Sequence, residues 1–180
     1  AITADRTDDV KPNSSLTDNI VTVGTDGGGN SPSISSGNKD VYGGYAVGTE
    51  NAKNNKVFVK SGEMIYVCGG RSYDGKATNN SVNISGGKIT GPVYGGYSNN
   101  GAVTGSTVTI SGTPVFDENR TVLYGGLSIN GTVSGNTLNF NSKERIVKQV
   151  ENFENYNFCL PGGTRAGNIL LTMTAANGAD

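Results

Sequence analysis

The chain contains no histidine and no tryptophan among its 180 residues. Without histidine it lacks the commonest general base and the commonest metal ligand of proteins. Ser-His-Asp and Cys-His nucleophile systems are therefore excluded within this polypeptide, and so are zinc sites that depend on histidine. The sequence assigns no catalytic residue, no metal ligand and no cofactor.

Charge and long apolar runs are also scarce. The 14 Lys+Arg against 15 Asp+Glu leave a net charge of −1, whereas binding to a phosphate backbone needs a basic excess, so nucleic acid is not an expected partner. The longest apolar tract, near residues 169–173, is interrupted by Thr172 and falls short of the roughly 18 residues of a membrane span, so we expect no direct membrane insertion. The first residues lack the basic start and apolar run of a signal peptide, which leaves open a removed export signal or excision from a longer chain.

Cysteine and proline are too few to organise the fold. The five prolines are scattered, which excludes collagen-like and polyproline structure. Cys68 and Cys159 lie 91 residues apart and form no CxxC motif. Two isolated thiols are the simpler interpretation, and a disulfide is the alternative.

Glycine, by contrast, is abundant and regularly placed. Gly, Asn, Ser and Thr together supply 84 residues, 28 of them Gly. Motifs of the form Val-Tyr-Gly-Gly-Tyr recur with steps of 26, 26 and 30 residues between the pairs Gly43-Gly44, Gly69-Gly70, Gly95-Gly96 and Gly125-Gly126. A second motif of alternating apolar residues follows each pair, at 55–59, 80–84, 106–110 and 136–140. Repeats of this length are typical of solenoids, propellers and arrays.

Each unit is predicted to form short strands. The second motif alternates with period 2 and is rich in β-branched residues, Ser-Gly turns follow it, and a brief apolar strand precedes the next glycine pair. This pattern predicts an all-β fold, a segment of right-handed parallel β-helix of about four to five coils that stack about 4.8 Å apart. One corner should carry a ladder of stacked asparagines, interrupted by Ser106: Asn19, Asn55, Asn80 and Asn136.

An antiparallel hairpin repeat, as in a propeller or meander, is the alternative architecture. Asp74-Gly75, Asn100-Gly101 and Asn130-Gly131 are strong hairpin-turn dipeptides. The glycine pair and the fixed gap behind it favour coils, because the two flanks of each dipeptide do not alternate symmetrically.

The sequence divides into three regions. Residues 1–40 form a polar lead-in and an irregular first coil, 41–142 the β-helical repeats, and 143–180 a C-terminal cap or differently spaced coils. Ile146, Val150 and Phe153 are spaced i, i+4, i+7, which predicts a short helix or cap near 143–153. Residues 26–30 distantly resemble a calcium-binding β-roll turn, but the motif occurs once, so no metal site is predicted.

The candidate ligand contacts are aromatic residues around one arginine. One phase of the repeat is shared by Tyr45, Arg71, Tyr97 and Leu127, and the adjacent phase is shared by Tyr42, Tyr94 and Tyr124. Because neighbouring strand positions face opposite sides, we expect one set to point outward. An arginine between two tyrosines suits cation–π stacking and contacts with glycans or proteins. A structural ladder that stabilises the stack is the alternative.

Loops at one edge extend the candidate surface. Residues 46–54 and 72–79 vary between units and should project from the array. The second loop contains Tyr73. The candidate ligand-contact residues are therefore Tyr45, Arg71, Tyr73 and Tyr97.

The repeat unit at 93–112 resembles repeats in the surface-exposed passenger regions of bacterial autotransporter-type adhesins. The tract at 150–158 with Leu160-Pro161 resembles the segment that ends such arrays, and the resemblance covers residues 41–175. It implies a secreted, extracellular module on the bacterial cell surface, non-enzymatic, acting in adhesion or as a stalk. The implied partners are host or bacterial surface glycans or proteins. Cys68 and Arg71 depart from the repeat, since both stand where other units have tyrosine.

A polysaccharide-acting β-helix enzyme, a lyase or hydrolase, is the alternative function. Such chemistry needs carboxylates that converge on one face. The carboxylates of the array occupy different repeat phases, and Asp117-Glu118 is the one local pair. A solvated loop is the simpler interpretation of that pair.

Overall fold

Parallel strand pairing runs through the computed structural model, which describes residues 16–25 and 39–175. The described residues form a right-handed parallel β-helix of about five turns, as the repeat predicts. The strands pair with their counterparts one repeat away, so the antiparallel propeller or meander is wrong. A meander would instead pair strands that follow one another along the chain.

A complete coil contains five short strands. The first described coil has β1 (Leu16–Thr17), β2 (Ile20–Val23), β3 (Asp40–Tyr42) and β4 (Tyr45–Ala46). The second has β5 (Ala52–Lys53), β6 (Lys56–Val59), β7 (Glu63–Met64), β8 (Tyr66–Cys68) and β9 (Arg71–Ser72). The third has β10 (Ala77–Thr78), β11 (Ser81–Ile84), β12 (Lys88–Ile89), β13 (Val93–Tyr94) and β14 (Tyr97–Ser98).

The later coils follow the same order. The fourth has β15 (Val103–Thr104), β16 (Thr107–Ser111), β17 (Val115–Phe116), β18 (Val122–Tyr124) and β19 (Leu127–Ser128). The fifth has β20 (Val133–Ser134), β21 (Thr137–Asn141), β22 (Arg145–Val147) and β23 (Gln149–Glu151). An incomplete further turn has β24 (Asn155–Phe158) and β25 (Leu171–Met173).

Equivalent strands of successive coils stack into sheets, numbered here as a coil visits them. Sheet 1 is β1-β5-β10-β15-β20, sheet 2 is β2-β6-β11-β16-β21-β24 and sheet 3 is β7-β12-β17, beside which β22 pairs with β25. Sheet 4 is β3-β8-β13-β18-β23 and sheet 5 is β4-β9-β14-β19. The register equals the sequence repeat, so inward residues meet their own counterparts, as Val57, Val82, Val108 and Leu138 do.

The core is a narrow column of these inward side chains. In β6, β11 and β16 of sheet 2 every second residue is buried, and the alternate residues face outward. Because each coil adds only one thin apolar layer, the chain folds with 34% hydrophobic residues.

At the corner between sheets 1 and 2, a residue with left-handed backbone conformation precedes the residue that belongs to the predicted asparagine ladder. Asn54 and Asn79 have φ of 57° and 54°, and Gly105 and Gly135 take the same place in later coils. Asparagine tolerates this conformation better than most residues. The Nδ2 of the next residue, Asn55, donates to Asn80 Oδ1 at 3.0 Å, which confirms the ladder.

The glycine pair lies between sheets 4 and 5, where the chain leaves no room for a side chain. A Cβ on Gly69 would overlap the carbonyl oxygen of Gly95 in the next coil, and one on Gly70 would overlap the Asn80 amide. The first glycine therefore permits close stacking, and the second makes room for the asparagine ladder.

Several other expectations are corrected. No helix occurs among the described residues, and β22 and β23 occupy the region predicted as helical. The loops expected at 46–54 and 72–79 are shorter, since their ends form strands of sheets 5 and 1. Both cysteines are free, Cys68 buried and Cys159 exposed, so the disulfide alternative is wrong. The β-roll-like residues 26–30 lie outside the described residues.

The three Asx-Gly dipeptides form stacked turns between sheets 5 and 1 instead of hairpins. Asn130 Nδ2 donates to Asn100 Oδ1 at 2.7 Å, and Asn100 Nδ2 donates to Asp74 Oδ1. The inward Ser98 hydroxyl donates to the Gly75 carbonyl at 2.8 Å. These bonds hold the turns of neighbouring coils in register.

Candidate ligand-contact face

Tyrosines cover the outside of sheets 4 and 5, a surface named here the tyrosine face. It contains Arg71 and six tyrosines: Tyr42, Tyr45, Tyr66, Tyr94, Tyr97 and Tyr124. The expectation that only one set of tyrosines points outward is wrong. The glycine pair ends one strand and starts another, so the residues on both sides of it face outward, while Val41 and Ala46 are buried.

Arg71 is the centre of this face. Strand register places it between Tyr45 and Tyr97 of the adjacent coils. Its Cζ lies 5.0 Å from the Tyr45 ring centroid and 4.8 Å from that of Tyr97. Both distances are within the range of cation–π attraction, so the guanidinium is held between two rings. Its Nε is enclosed by protein and has no hydrogen-bond partner.

Tyr66 completes the neighbouring row of rings on sheet 4. Its centroid is 5.1 Å from that of Tyr42 and 5.2 Å from that of Tyr94. The repeat places Cys68, which is small, at the ladder position of this coil, and the Tyr66 ring fills the space that a tyrosine there would occupy. Sequence reasoning missed Tyr66. The sequence contained a signal for it, because Tyr66 lies two residues before Cys68, which among the four glycine-pair motifs occupies the one ladder position without a tyrosine.

Ring stacking removes part of this surface from solvent. Tyr94 and Tyr124 stack at 4.8 Å with 5° between their planes, so each covers a face of the other. Burial raises the pKa of Tyr66 and of Tyr94 well above the ordinary tyrosine value. Burial also raises the pKa of the Cys68 thiol to about 12, and the protonated thiol donates to the Gly70 carbonyl at 3.4 Å. The sheet 4 row is therefore chiefly a packing element.

The most exposed residue of the face lies on sheet 5. Tyr45 is 41% exposed, and Arg71 and Tyr97 are partly exposed. Tyr73 is 47% exposed and follows Arg71 by two residues, at the start of the turn; its N–H donates to the Ala46 carbonyl at 3.0 Å. The structure thus brings three of the four predicted contact residues together, and Tyr73 lies beside them without joining the ring contacts found among the described residues.

The carboxylate pair proposed for the enzyme alternative belongs to a turn. Asp117 Oδ1 accepts a hydrogen bond from the Asn119 N–H at 3.0 Å, and its carbonyl accepts from the Thr121 N–H at 2.8 Å. The Glu118 carbonyl accepts from the Thr174 hydroxyl. Within residues 16–25 and 39–175, no group of three or more Cys, Asp or Glu is arranged to hold a metal ion.

Comparison with known proteins adds no relative. The chain matches no protein-family model, no curated protein and no solved structure. In the part of the chain that the structure describes, no helix has the length and apolar character needed to cross a membrane.

Proposed function

We propose that this chain is a non-enzymatic β-helical module displayed on a bacterial cell surface, of the autotransporter passenger type, and that it acts in adhesion. The tyrosine face is its contact surface, and glycans or proteins of host or bacterial surfaces are its partners. The observation that carries the proposal is the position of Arg71 between Tyr45 and Tyr97 on the exposed side of sheet 5.

The chemistry of this face supports binding. Tyrosine and arginine are enriched at the centres of protein interfaces, where an apolar body and a polar tip make contacts of both kinds. The contacts of the Arg71 guanidinium with the Tyr45 and Tyr97 rings restrain all three side chains, so little side-chain freedom is lost when a partner binds.

A structural stalk is the second candidate. The stacked rings of Tyr94 and Tyr124 favour it, since rings that cover one another stabilise the stack without contacting any partner. The turn that contains Asp117 supports a structural role for that carboxylate over a catalytic one.

A binding screen of the whole chain against a glycan array and a panel of surface proteins tests the proposal. We expect Tyr97→Ala to weaken any ligand found by about tenfold, because it removes one of the rings that hold Arg71. Tyr156→Ala is the matched control, since Tyr156 is an exposed tyrosine on β24, outside sheets 4 and 5.

Three other results would count against adhesion through this face. No ligand for the intact chain would favour the stalk. Equal loss of binding in Tyr156→Ala would place the contact elsewhere. Turnover of acidic polysaccharides that disappears in an Asp117→Ala, Glu118→Ala variant would favour the enzyme.

A further inference from the structure

Arg71 is a cation in a row that otherwise lacks charge. The outward residues of sheet 5 are Tyr45, Arg71, Tyr97 and Leu127. Among the strands of sheets 4 and 5 that the structure describes, Arg71 is the one basic residue. The same coil also carries Cys68 where the neighbouring coils have tyrosine, so two neighbouring ladder positions differ in this coil. The second coil therefore differs from its neighbours in a concerted way.

The guanidinium is fixed and keeps donors for a ligand. The rings of Tyr45 and Tyr97 lie on either side of it. Its Nε is enclosed and a hydrogen bond with the Tyr42 side chain occupies part of the group, so a ligand would bind at the remaining Nη edge. That edge is a planar fork of donors whose geometry matches the two oxygens of a carboxylate. Because the two rings already hold the guanidinium in place, binding a carboxylate would cost little ordering.

Charge on the same face limits what the ligand can be. Asp40, in the first coil, faces outward one coil away from Arg71, and Glu151 faces outward in the fifth. Burial raises the pKa of Asp40, and the nearby Arg71 charge offsets part of that rise, so the two groups interact. An acidic peptide or other polyanion along the rod would meet both carboxylates, whereas a single carboxylate at Arg71 would face Asp40 alone and avoid Glu151.

The neighbours of Arg71 suit a sugar. Tyr45 and Tyr73 are exposed tyrosines whose rings can contact the C–H face of a pyranose and whose hydroxyls can bond to its hydroxyls. We propose that Arg71, with Tyr45, Tyr73 and Tyr97, forms a subsite for the carboxylate of one acidic sugar at the end of a glycan. This inference rests on the proposed adhesive function and names its ligand class.

The test compares 3′-sialyllactose with lactose, which has the same neutral disaccharide but lacks the carboxylated sugar. Titration calorimetry on the whole chain should give an affinity for sialyllactose at least about tenfold higher, and the difference should shrink as salt is added. Arg71→Tyr restores the residue that coils one and three carry at this position, so it should fold. It should lower the affinity for sialyllactose to that for lactose.

Control variants separate the subsite from general charge. Arg165→Tyr removes an exposed arginine far along the chain and should leave both affinities unchanged. Arg71→Lys keeps the charge without the planar fork and should retain only part of the preference for sialyllactose.

The outcomes distinguish this inference from the adhesive function itself. Equal affinity for the two sugars, or an unchanged preference in Arg71→Tyr, would refute the acidic subsite, while a ligand sensitive to Tyr97→Ala in the wider screen would still support adhesion. Stronger binding of 3′-sulfolactose than of sialyllactose would assign the subsite to sulfate esters and refute the carboxylate. No binding of either sugar by the unmodified chain would refute the subsite as well.

Discussion

Asn136 and Ser106 are joined by one hydrogen bond in a ladder whose earlier rung has two. Asn136 Oδ1 accepts from the Ser106 N–H at 2.9 Å, but Asn136 Nδ2 and Ser106 Oγ are both buried without a partner. In the coils before, Asn55 donates to Asn80 Oδ1 from both its N–H and its Nδ2 at 3.0 Å. Serine has no amide to donate, so this rung is incomplete.

Ser106→Asn should complete the ladder when Val103 is shortened as well. Val103 takes the place that Ala77 has one coil earlier, and its Cγ1 and the Ser106 Oγ both lie 2.9 Å from a Cβ built on Gly96. The larger valine therefore fills space that an asparagine would need. We expect Val103→Ala, Ser106→Asn to be more stable than Val103→Ala alone by about 1–2 kcal/mol, through one or two added hydrogen bonds.

Urea unfolding of the four proteins of this double-mutant cycle measures the coupling. Ser106→Ala is the control, because it removes a hydroxyl without a partner and should change the free energy of unfolding little. The interpretation fails if Ser106→Asn gains no stability in either background.

Gly95→Ala should disrupt the stack. A Cβ at Gly95 would overlap the carbonyl oxygen of Gly125 in the next coil, a backbone atom that cannot move without shifting that coil. We expect a loss of more than about 3 kcal/mol in the free energy of unfolding. Gly162→Ala is the matched control: nothing lies within 4 Å of its Cβ, so thermal unfolding should be unchanged. Similar losses in both variants would contradict this account of the glycine pair.

Cys68→Tyr should destabilise the protein although it restores the repeat. The Tyr66 ring already occupies the gap between Tyr42 and Tyr94, so a second ring would overpack it, at a cost of about 1–3 kcal/mol. Adding Tyr66→Val should recover that stability, because the fourth coil combines Val122 with Tyr124 at these positions.

Chemical denaturation of the single and double variants measures these changes in the free energy of unfolding. Tyr66→Phe is a further control, since it removes a buried hydroxyl that has no partner and should be neutral or slightly stabilising. A Cys68→Tyr variant as stable as the unmodified chain would show that Tyr66 does not fill the ladder.

Alkaline pH should destabilise the fold through the tyrosine face. Burial raises the pKa of Tyr42, Tyr66, Tyr94 and Tyr124 above the ordinary value of 10.0. Above that pH the unfolded chain releases protons that the folded chain retains, so stability falls as pH rises. Tyrosinate absorbance should show these four groups ionising together with the loss of β-sheet circular dichroism. Their full ionisation in a chain that remains folded would contradict this prediction.

The strands and the asparagine ladder could be predicted because the register of this fold is the sequence repeat itself. Asn55 and Asn80 are one repeat apart in the sequence and one coil apart in space. Sheets 1 and 5 were missed because two-residue strands such as Ala77–Thr78 are too short to show alternation. The helix at 143–153 was wrong because Ile146, Val150 and Phe153 match helical spacing by coincidence, as Glu144 with φ of 58° turns the chain into β22.

The candidate site was less predictable than the fold. Strand register follows from the repeat, so Tyr45, Arg71 and Tyr97 could be placed in one row from sequence alone. Both tyrosine rows face outward because the chain changes direction at the glycine pair. The alternation of apolar and polar residues does not encode that change. Tyr66 reaches its place through packing against rings of two other coils, a tertiary effect that no single unit contains.

The segment at 152–154 skips two sheets and so leaves a step at this end of the β-helix. After β23 the chain crosses directly to β24, so within the described residues sheets 5 and 1 stop at β19 and β20 while sheet 2 continues. β24 and β25 each hydrogen-bond to a strand on one side only in that part of the chain. Because each turn of a solenoid is held by its neighbours, amide protons beyond the step should exchange with solvent before those of the inner coils. This end of the β-helix should thus open one layer at a time.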